Sequence, residues 1–301
     1  MDISVCIVSW NVAADLRACL QSLENQRGDV GFEIIVADNA STDGSPDLVA
    51  RDFPGATLIR GDRNLGFARA CNIALNSASG RYLLLLNPDC LLPEDGLLRL
   101  MHFADEHPDA GLVGPRLVNS DGSLQYSARR LPSIKAAILR NTFLGRLFPG
   151  SHAVDDYLLA DWDHGSAREV DWLSGACLLV RRSALKEVGL LDEGFFWGSE
   201  DVDLAIRMKT AGWRVLYTPE PTVVHAIGRS TDRVPWRTLF RTHRSMFRLY
   251  RKHLTKSPLH TLVVWLGVWL RATLIAAQTA WHIFWRGWLK VARCRSDRGV
   301  R

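Results

Sequence analysis

The 301-residue chain is 47% hydrophobic, which is enough for a substantial core and fits one catalytic domain with a C-terminal appendage. Its formal net charge is +5, and the basic residues concentrate late in the chain beside apolar sequence. That arrangement argues against nucleic acid as a partner and favours an anionic membrane surface. The six cysteines form no close pairs, so neither a zinc site nor a disulfide framework is indicated. The first residues lack a basic segment followed by an apolar one, so we expect no secretory signal and a cytoplasmic catalytic part.

Short apolar runs alternate with helical patterns over the first 115 residues. The predicted strands are 3–10, 33–38, 56–60, 82–86 and 111–115. The predicted helices are 13–26, one opened by Pro46, one running to about Ser79, and 95–107. This alternation predicts an α/β fold built from parallel βαβ units with right-handed crossovers.

Polar residues follow three of these strands. Trp10 ends the first and Asn11 follows it, Asp38 ends the second, and Asp89 follows the fourth within Asn87-Pro88-Asp89. In open α/β sheets ligands collect beyond the carboxyl ends of strands, so one sheet edge would gather all three. Asp38 could accept hydrogen bonds from a nucleotide base or ribose, and Asp89 could hold a divalent cation at a diphosphate. The alternative is that both acids only cap turns.

The middle of the chain is less regular. From 116 to 171 we expect an insertion with one short helix near 133–143. Two apolar runs within 170–180 are interrupted by small residues, so a ligand or another backbone is expected close to Gly175. A short strand 214–217 and an apolar run 222–225 follow, and His225 ends that run as either a structural or a functional histidine.

An aromatic loop precedes a helix whose first turn is rich in acids. Ser199 is the predicted N-cap, and the helix dipole favours Asp203 and one of its acidic neighbours. Adjacent residues on a helix face different directions, so one of Glu200 and Asp201 can bond inward while the other faces a substrate. A carboxylate at this helix start, beside Trp197, could act as general base for a sugar hydroxyl.

Taken in order, these motifs resemble inverting glycosyltransferases of family 2, whose GT-A fold is a Rossmann-like, mostly parallel sheet flanked by helices. The residues that carry the resemblance are 8–11, 38–44, 64–67, 87–89, 172–176, 200–204 and His225. Within the family, residues 121–129 and 172–181 are similar to bacterial rhamnosyltransferases that extend polyprenyl-diphosphate-linked sugars.

The resemblance implies specific roles. Asp201 would be the catalytic base, and Asp89 and His225 would hold Mg²⁺ or Mn²⁺, with Asn87 standing where the Asp-X-Asp pattern has its first acid. The expected donor-nucleotide contacts are Ser9, Trp10, Asn11, Asp38, Asn64, Gly66 and Asn87. The expected acceptor or sugar contacts are Trp172, Ser174, Gly175, Trp197 and Glu200, and the candidate phosphate contacts are Arg69, Arg229 and Ser230.

The resemblance implies transfer of a sugar to a hydroxyl of a lipid-linked or polysaccharide acceptor in cell-envelope glycan synthesis. The sugar that the resemblance favours is L-rhamnose, with dTDP-rhamnose as the donor. A family 2 enzyme that uses a UDP-sugar is the first alternative. A sugar nucleotidyltransferase would need a Gly-rich basic loop after the first strand, which residues 10–15 lack. A non-catalytic, membrane-bound sugar-binding module is the remaining alternative, and Asp201 beside Asp89 and His225 counts against it.

The C-terminal sequence suits a membrane surface. A predicted helix 235–254 carries arginines at four-then-three spacing along one face: Arg237, Arg241, Arg244, Arg248 and Arg251. Residues 259–285 are apolar, but Arg271, Gln278 and His282 share one helix face, so we favour an interfacial helix over a membrane span. Packing of this helix in a homodimer interface is the competing interpretation. The arginine-rich tail 286–301 could bind anionic lipid.

These patterns predict a glycosyltransferase domain at 1–230 and a basic, membrane-associating segment at 231–301. The domain would divide into a nucleotide-binding half, 1–115, and an acceptor and catalytic half, 116–230. The expected location is the cytoplasmic face of the bacterial cell membrane, in peripheral or monotopic form.

Overall fold

The computed structural model describes residues 1–139, 150–226, 235–255 and 257–296. In chain order the strands are β1 (Ile3–Ser9), β2 (Phe32–Asp38), β3 (Thr57–Arg60), β4 (Tyr82–Leu86), β5 (Cys90–Leu91), β6 (Ala110–Val118), β7 (Leu124–Gln125), β8 (Ala128–Arg129), β9 (Arg168–Glu169), β10 (Trp172–Leu173), β11 (Cys177–Arg181) and β12 (Arg214–His225). The helices are α1 (Ala13–Glu24), α2 (Ser45–Asp52), α3 (Phe67–Ser77), α4 (Gly96–Glu106), α5 (Ile134–Leu139), α6 (His152–Leu158), α7 (Arg182–Val188), α8 (Glu200–Thr210), α9 (Pro235–His253) and α10 (Pro258–Ser296).

One mixed sheet organises the chain, with its main strands in the order β3-β2-β1-β4-β11-β6-β12-β5. The strands β1, β2, β3 and β4 are parallel to one another, as the βαβ pattern predicted. β11 lies antiparallel between β4 and β6, whereas β12 is parallel to β6. The fold is therefore the predicted α/β architecture, with an antiparallel strand inserted at its centre.

Both faces of the sheet are covered, which explains the unbroken apolar runs. Every residue of β1 and β4 is buried. Along β1, Ile3, Val5 and Ile7 pack toward α1 and α4, while Cys6 and Val8 pack toward α3 and α8. The period of two along a strand thus supplies two cores, one on each side of the sheet.

Several short elements differ from the sequence-based expectations. The strand 214–217 and the run 222–225 form the single strand β12, whose pairing with β6 shifts register between Thr218 and Thr222. The two-residue strands β5, β7, β8, β9 and β10 were not predicted individually, because two residues show no periodicity. The helix expected at 133–143 is present as α5, and 140–149 lie outside the described residues.

The two C-terminal helices pack on each other; α9 also contacts the segment 192–197 and Asp203 of α8, and α10 contacts α5. The helix face that carries Arg271 was expected to stay in contact with water. Nη1 of Arg271 lies instead 2.7 Å from Nε2 of His243, a buried residue of α9. Large apolar residues of α10 are instead exposed at helical spacing: Leu259, Leu262, Val263, Leu266 and Leu270. By length and composition, Pro258–Thr279 could cross a membrane.

Candidate active site

The three predicted strand exits do meet at one edge of the sheet. Ser9 at the end of β1 pairs with Asp38 at the end of β2, and Ile7 pairs with Leu86 at the end of β4. The turns that carry Asn11, Asp38 and Asp89 therefore open on the same side, as parallel strands require.

Two buried oxygen atoms at this edge have no hydrogen-bond partner among the described residues. They are Oγ of Ser9 and Oδ1 of Asp38, and the two residues are paired across β1 and β2. Asp38 is 4% exposed, and its Oδ2 accepts the backbone N–H of Ser41 at 2.9 Å. Buried polar atoms without a protein partner are costly unless a ligand or a water molecule completes them.

Asn11 shapes the neighbouring turn. Its Oδ1 accepts the backbone N–H of Thr42 at 2.7 Å, and its own N–H donates to Oγ of Ser41 at 2.9 Å. The side chain of Asn11 thus ties the β1 exit to the loop after Asp38. Trp10, beside it, is half-buried.

Asn39 connects the β2 exit to the loop at Asn64 and Gly66, and sequence reasoning missed it. Its Oδ1 accepts the N–H of Leu65 at 2.8 Å, and its Nδ2 donates to Oδ1 of Asn64 and to the carbonyl of Gly66, each at 3.2 Å. Gly66 has φ +87°, and a Cβ there would lie 2.7 Å from the carbonyl oxygen of Phe196. Only glycine fits this approach between the loop and the aromatic segment 195–197.

The turn after β4 brings a carboxylate and an imidazole together. Oδ1 of Asp89 lies 3.4 Å from Nε2 of His225, and Nδ2 of Asn87 lies 3.4 Å from the same nitrogen. Adjacent ligands of an octahedral Mg²⁺ at 2.0–2.1 Å are about 3.0 Å apart, so the Asp89 and His225 atoms need little adjustment to share one ion. The thiol of Cys90 is also near, but it is buried and burial raises its pKa well above the ordinary value. We therefore count one carboxylate and one imidazole as the available ligands.

Gln125 of β7 holds His225 from behind, and it was not singled out from the sequence. Its Oε1 lies 2.9 Å from Nδ1 of His225, and its Nε2 donates to the backbone carbonyl of His225 at 2.6 Å. The same amide nitrogen donates to Oδ1 of Asn119 at 2.7 Å. The only sequence signal was its place within 121–129, part of the family resemblance.

Asp201, in the first turn of α8, reaches the bend between β10 and β11. Its Oδ2 accepts the N–H of Gly175 at 3.1 Å, and its Oδ1 accepts the N–H of Val202 at 2.8 Å. The carboxylate of Asp201 is thus one group that approaches Gly175 closely, and a ligand contact there stays a prediction. Burial raises the pKa of Asp201, and the two N–H groups and nearby Arg129 oppose that rise. A carboxylate with a raised pKa is a better proton acceptor.

Glu200 faces the other way, as neighbouring helix positions must. Burial, reinforced by the charge of Asp201, raises the pKa of Glu200 to about 8. Its charge is close enough to contribute to the raised pKa of the buried Cys71 thiol of α3. Glu200 is thus buried on the α3 side of α8, its Oε2 has no hydrogen-bond partner among the described residues, and the sugar contact predicted for it stays a prediction. Ser199 occupies the N-cap position with φ +73°, but its side chain makes no capping hydrogen bond.

Arg129 of β8 and Trp172 of β10 are paired across the two strands and make a cation–π contact. The guanidinium of Arg129 lies 4.9 Å from the ring centroid of Trp172, and its Nε donates to the carbonyl of Tyr126 at 2.5 Å. Trp172 is buried and donates its indole N–H to the carbonyl of Arg130 at 2.8 Å, so it supports Arg129 rather than offering that N–H to a sugar. Arg130 pairs with Asp156 at 2.8 Å, whereas no ion pair to an acid is present for Arg129 among the described residues.

The remaining predicted contacts are distributed around this centre. Ser174 donates its backbone N–H to the carbonyl of Ser127 at 2.9 Å, which fixes the strand before the bend. Arg69 of α3 pairs with Glu193 at 3.5 Å, so it is engaged with a surface acid. Arg229 and Ser230 lie outside the described residues.

Helix α9 braces the aromatic segment beside Asp201. Oγ of Ser245 donates to the carbonyl of Trp197 at 2.9 Å, the guanidinium of Arg241 stacks over the ring of Phe196 at 3.6 Å, and Arg248 pairs with Asp192 at 2.8 Å. The five arginines of α9 were expected to share one surface that faces lipid headgroups or a diphosphate. The structure instead directs Arg241 and Arg248 to the protein and leaves Arg237, Arg244 and Arg251 exposed.

The site thus combines two unpartnered buried oxygens at the strand ends, a carboxylate–imidazole pair and a carboxylate at a helix start. The chain belongs to glycosyl transferase family 2, whose model matches residues 4–189.

Two relatives of this chain are named as rhamnosyltransferases. Over 225 residues the chain is 35% identical to the N-acetylglucosaminyl-diphospho-decaprenol L-rhamnosyltransferase of Mycobacterium tuberculosis, covering 71% of this chain and 73% of that protein. It is 28% identical to the rhamnosyltransferase WbbL of Escherichia coli K12, covering 83% and 93%. The mannosyltransferase PcManGT of Pyrobaculum calidifontis, solved with GDP-Man and Mn²⁺, has the same fold, with a TM-score of 0.57, 22% identity, and coverage of 92% of this chain and 75% of that one.

Proposed function

We propose that this glycosyltransferase moves L-rhamnose from dTDP-rhamnose to a hydroxyl of a polyprenyl-diphosphate-linked sugar, with inversion at the anomeric carbon. The observation that carries the proposal is the 35% identity to a decaprenyl-diphosphate-sugar rhamnosyltransferase over most of both chains. The second rhamnosyltransferase relative supports the same sugar. Such a product belongs to cell-envelope glycan synthesis.

The donor nucleotide would lie across the ends of β1 and β2. The free Oδ1 of Asp38 can accept the imide N–H of thymine or a ribose hydroxyl, and the Oγ of Ser9 can pair with an adjacent polar atom of the base. The turns at Trp10, Asn11 and Asn64 would enclose the nucleoside. This proposal explains why two buried oxygens at this edge have no partner within the described protein.

Asp89 and His225 would hold a divalent cation, Mg²⁺ or Mn²⁺, at the donor diphosphate. When bound, the cation would stabilise charge that develops on the departing diphosphate. The fit rests on the 3.4 Å separation of their ligand atoms and on the low exposure of both side chains, 8% for Asp89 and 12% for His225. Asn87 would contribute its amide beside them. The PcManGT complex contains Mn²⁺, which supports a divalent ion within this fold.

Asp201 would be the general base. It would accept the proton of the acceptor hydroxyl as that oxygen bonds to the anomeric carbon and the bond from this carbon to the donor diphosphate breaks. The N–H groups of Gly175 and Val202 fix the carboxylate, and its raised pKa makes it a better proton acceptor. Trp197 and Gly175 would border the acceptor sugar.

Arg129 would bind phosphate on the acceptor side. Its guanidinium is fixed by Trp172 and by the carbonyl of Tyr126, and its charge acts on Asp201. Arginine binds phosphate oxygens with several donors at once, so a fixed guanidinium suits the diphosphate of a lipid-linked acceptor.

Helices α9 and α10 would place the site at the cytoplasmic face of the membrane. The exposed apolar face of α10 and the exposed Arg237, Arg244 and Arg251 of α9 fit an acyl and headgroup boundary. The hydrogen bond of Arg271 to His243 directs its guanidinium toward α9, so the exposed apolar face of α10 could insert more deeply. The division into a catalytic domain at 1–230 and a membrane-associating segment at 231–301 remains a prediction, as does a homodimer.

A thermal-unfolding screen of nucleotide sugars tests the donor. A ligand at 100 times its Kd stabilises the folded state by ~2.7 kcal/mol, so dTDP-rhamnose with Mn²⁺ should raise the Tm by several degrees. UDP- and GDP-sugars at the same concentration should not match it. A larger shift with a UDP-sugar would instead support the alternative family 2 activity.

A further inference from the structure

We propose that Gln125 is a positioning residue that fixes His225 as the tautomer protonated on Nδ1, so that the lone pair of Nε2 faces Asp89. The inference deepens the proposed metal role of His225 and rests on it for its function. The tautomer itself is a property of the protein without any ion.

The orientation of the Gln125 amide is determined by its neighbours. Its Nε2 has oxygen atoms around it: the carbonyl of His225 at 2.6 Å, Oδ1 of Asn119 at 2.7 Å and the carbonyl of Val118 at 3.4 Å. Backbone carbonyls only accept, so a flipped amide would set its oxygen against two of them. The NH₂ group must therefore face these acceptors, and Oε1 must face His225.

That orientation decides which ring nitrogen of His225 carries the proton. Oε1 of Gln125 cannot donate, so Nδ1 of His225, 2.9 Å away, must be the donor. In the neutral ring the other nitrogen, Nε2, then holds a lone pair. Asn87 is consistent with this assignment, because its Nδ2 is a donor that lies 3.4 Å from Nε2.

The resulting arrangement is built for a cation. A lone pair on Nε2 and a carboxylate oxygen of Asp89 face each other at 3.4 Å within a largely buried site. Two electron-rich atoms at that distance attract a shared positive ion. Metal-ligating histidines usually donate their other N–H to an oxygen that fixes ring and tautomer, and losing this partner costs 10–100-fold in metal affinity.

Gln125 is suited to this task by its place in the fold. It is 8% exposed, and β7 pairs antiparallel with β6, setting Gln125 opposite Leu117. Because the amide also bonds the backbone carbonyl of His225, it fixes both the ring and the chain end of β12. A hydrocarbon side chain of similar size at this position would fill the space but would release the ring.

The direct test is ¹⁵N NMR of the full chain, labelled with ¹⁵N-histidine and kept free of metal at about pH 8, where an ordinary histidine is neutral. The His225→Ala variant assigns the signal. Wild-type protein should show protonated Nδ1 and unprotonated Nε2 for His225, and Gln125→Leu should lose this tautomer. Asn119→Ala removes one partner of the Gln125 NH₂ but keeps the Oε1 contact, so it should retain the wild-type pattern.

A second experiment measures the affinity for Mn²⁺ in the presence of dTDP. The electron paramagnetic resonance signal reports the concentration of free Mn²⁺. Gln125→Leu should weaken binding by 10–100-fold, while Asn119→Ala should stay within about threefold. Protonated Nε2 in wild-type protein would overturn the proposal, even if Gln125→Leu does not fold. Unchanged tautomer or Mn²⁺ affinity in folded Gln125→Leu would overturn it as well. By contrast, wild-type Mn²⁺ affinity in His225→Ala would refute the proposed metal role and leave the tautomer assignment standing.

Discussion

Replacing Asp201 with asparagine separates proton transfer from binding. Asparagine retains one oxygen that can accept the N–H of Gly175 or Val202, so only one of the two hydrogen bonds is lost. One such bond contributes about 0.5–1.5 kcal/mol to the free energy of unfolding, and removal of a desolvated charge offsets part of that loss. The variant should therefore fold and bind donor nearly as well as wild type.

Its transfer rate should nevertheless fall by 10²–10⁴-fold, the usual contribution of a general base. The assay is the initial rate of rhamnosyl transfer to a synthetic polyprenyl-diphosphate sugar, with donor affinity measured separately. The matched control is Glu200→Gln, which alters the adjacent carboxyl turned toward the core and should keep the rate within about tenfold. Turnover of Asp201→Asn within tenfold of wild type, or a larger loss in Glu200→Gln, would refute the assignment of the base.

Further predictions concern the metal, Glu200 and the membrane helices. Asp89→Asn and His225→Ala should each lower transfer by at least tenfold and raise the Mn²⁺ concentration needed for half-maximal rate, whereas full activity in excess chelator would argue against both roles. Folding raises the pKa of Glu200 from 4.5 to about 8, so the folded state holds this proton more tightly than the unfolded state. The resulting contribution to the free energy of unfolding is complete below pH 4.5 and declines as the pH rises toward 8. The decline is at most about 1.4 kcal/mol per pH unit. Urea unfolding at pH 5, 6.5 and 8 should show a flatter pH dependence for Glu200→Gln than for wild type, and parallel curves would count against the buried acid. Replacing Leu262, Leu266 and Leu270 together by serine should release the protein from anionic vesicles, while release of wild type by high salt alone would argue against apolar insertion of α10.

Much of the sheet was predictable because its strands are buried on both faces. Continuous apolar runs such as 82–86 can be recognised without knowing their partners, and parallel pairing then aligns the exits at Ser9, Asp38 and Leu86. The antiparallel insertion of β11 between β4 and β6 was not predictable, because strand order depends on contacts between distant segments. The two-residue strands were not predictable for a different reason. They are defined by backbone pairing with a neighbouring strand, and two residues show no hydrophobic alternation.

The site divides in a similar way. Residues placed by strand ends, such as Asp38 and Asp89, could be found from their position after an apolar run. Residues placed by tertiary contact could not: Gln125 reaches His225 from 100 positions away, and Asn39 fixes the loop at Asn64 by side-chain bonds. The directions of the Glu200 and Asp201 side chains also needed the structure, because helix geometry only requires that the two differ.

The C-terminal helices show how tertiary contact changes the meaning of charge. The spacing of polar residues alone predicted that Arg271 contacts water, but its guanidinium hydrogen-bonds to His243 of α9. Arg241 and Arg248 lie on a basic helix face but contact the aromatic segment near Asp201. A helical pattern gives the direction of a side chain around its own axis, and only the packed neighbour decides whether that direction is solvent, lipid or protein.

Product analysis with purified full-length protein tests the central claim most directly. The protein would be incubated with Mn²⁺ and a polyprenyl-diphosphate-linked N-acetylglucosamine, with dTDP-L-rhamnose in one reaction and a UDP-sugar in another, and the lipids would be analysed by mass spectrometry. We expect a lipid heavier by one deoxyhexose with dTDP-L-rhamnose, and no such product from Asp201→Asn. No transfer from dTDP-L-rhamnose, with efficient transfer from the UDP-sugar, would contradict this expectation.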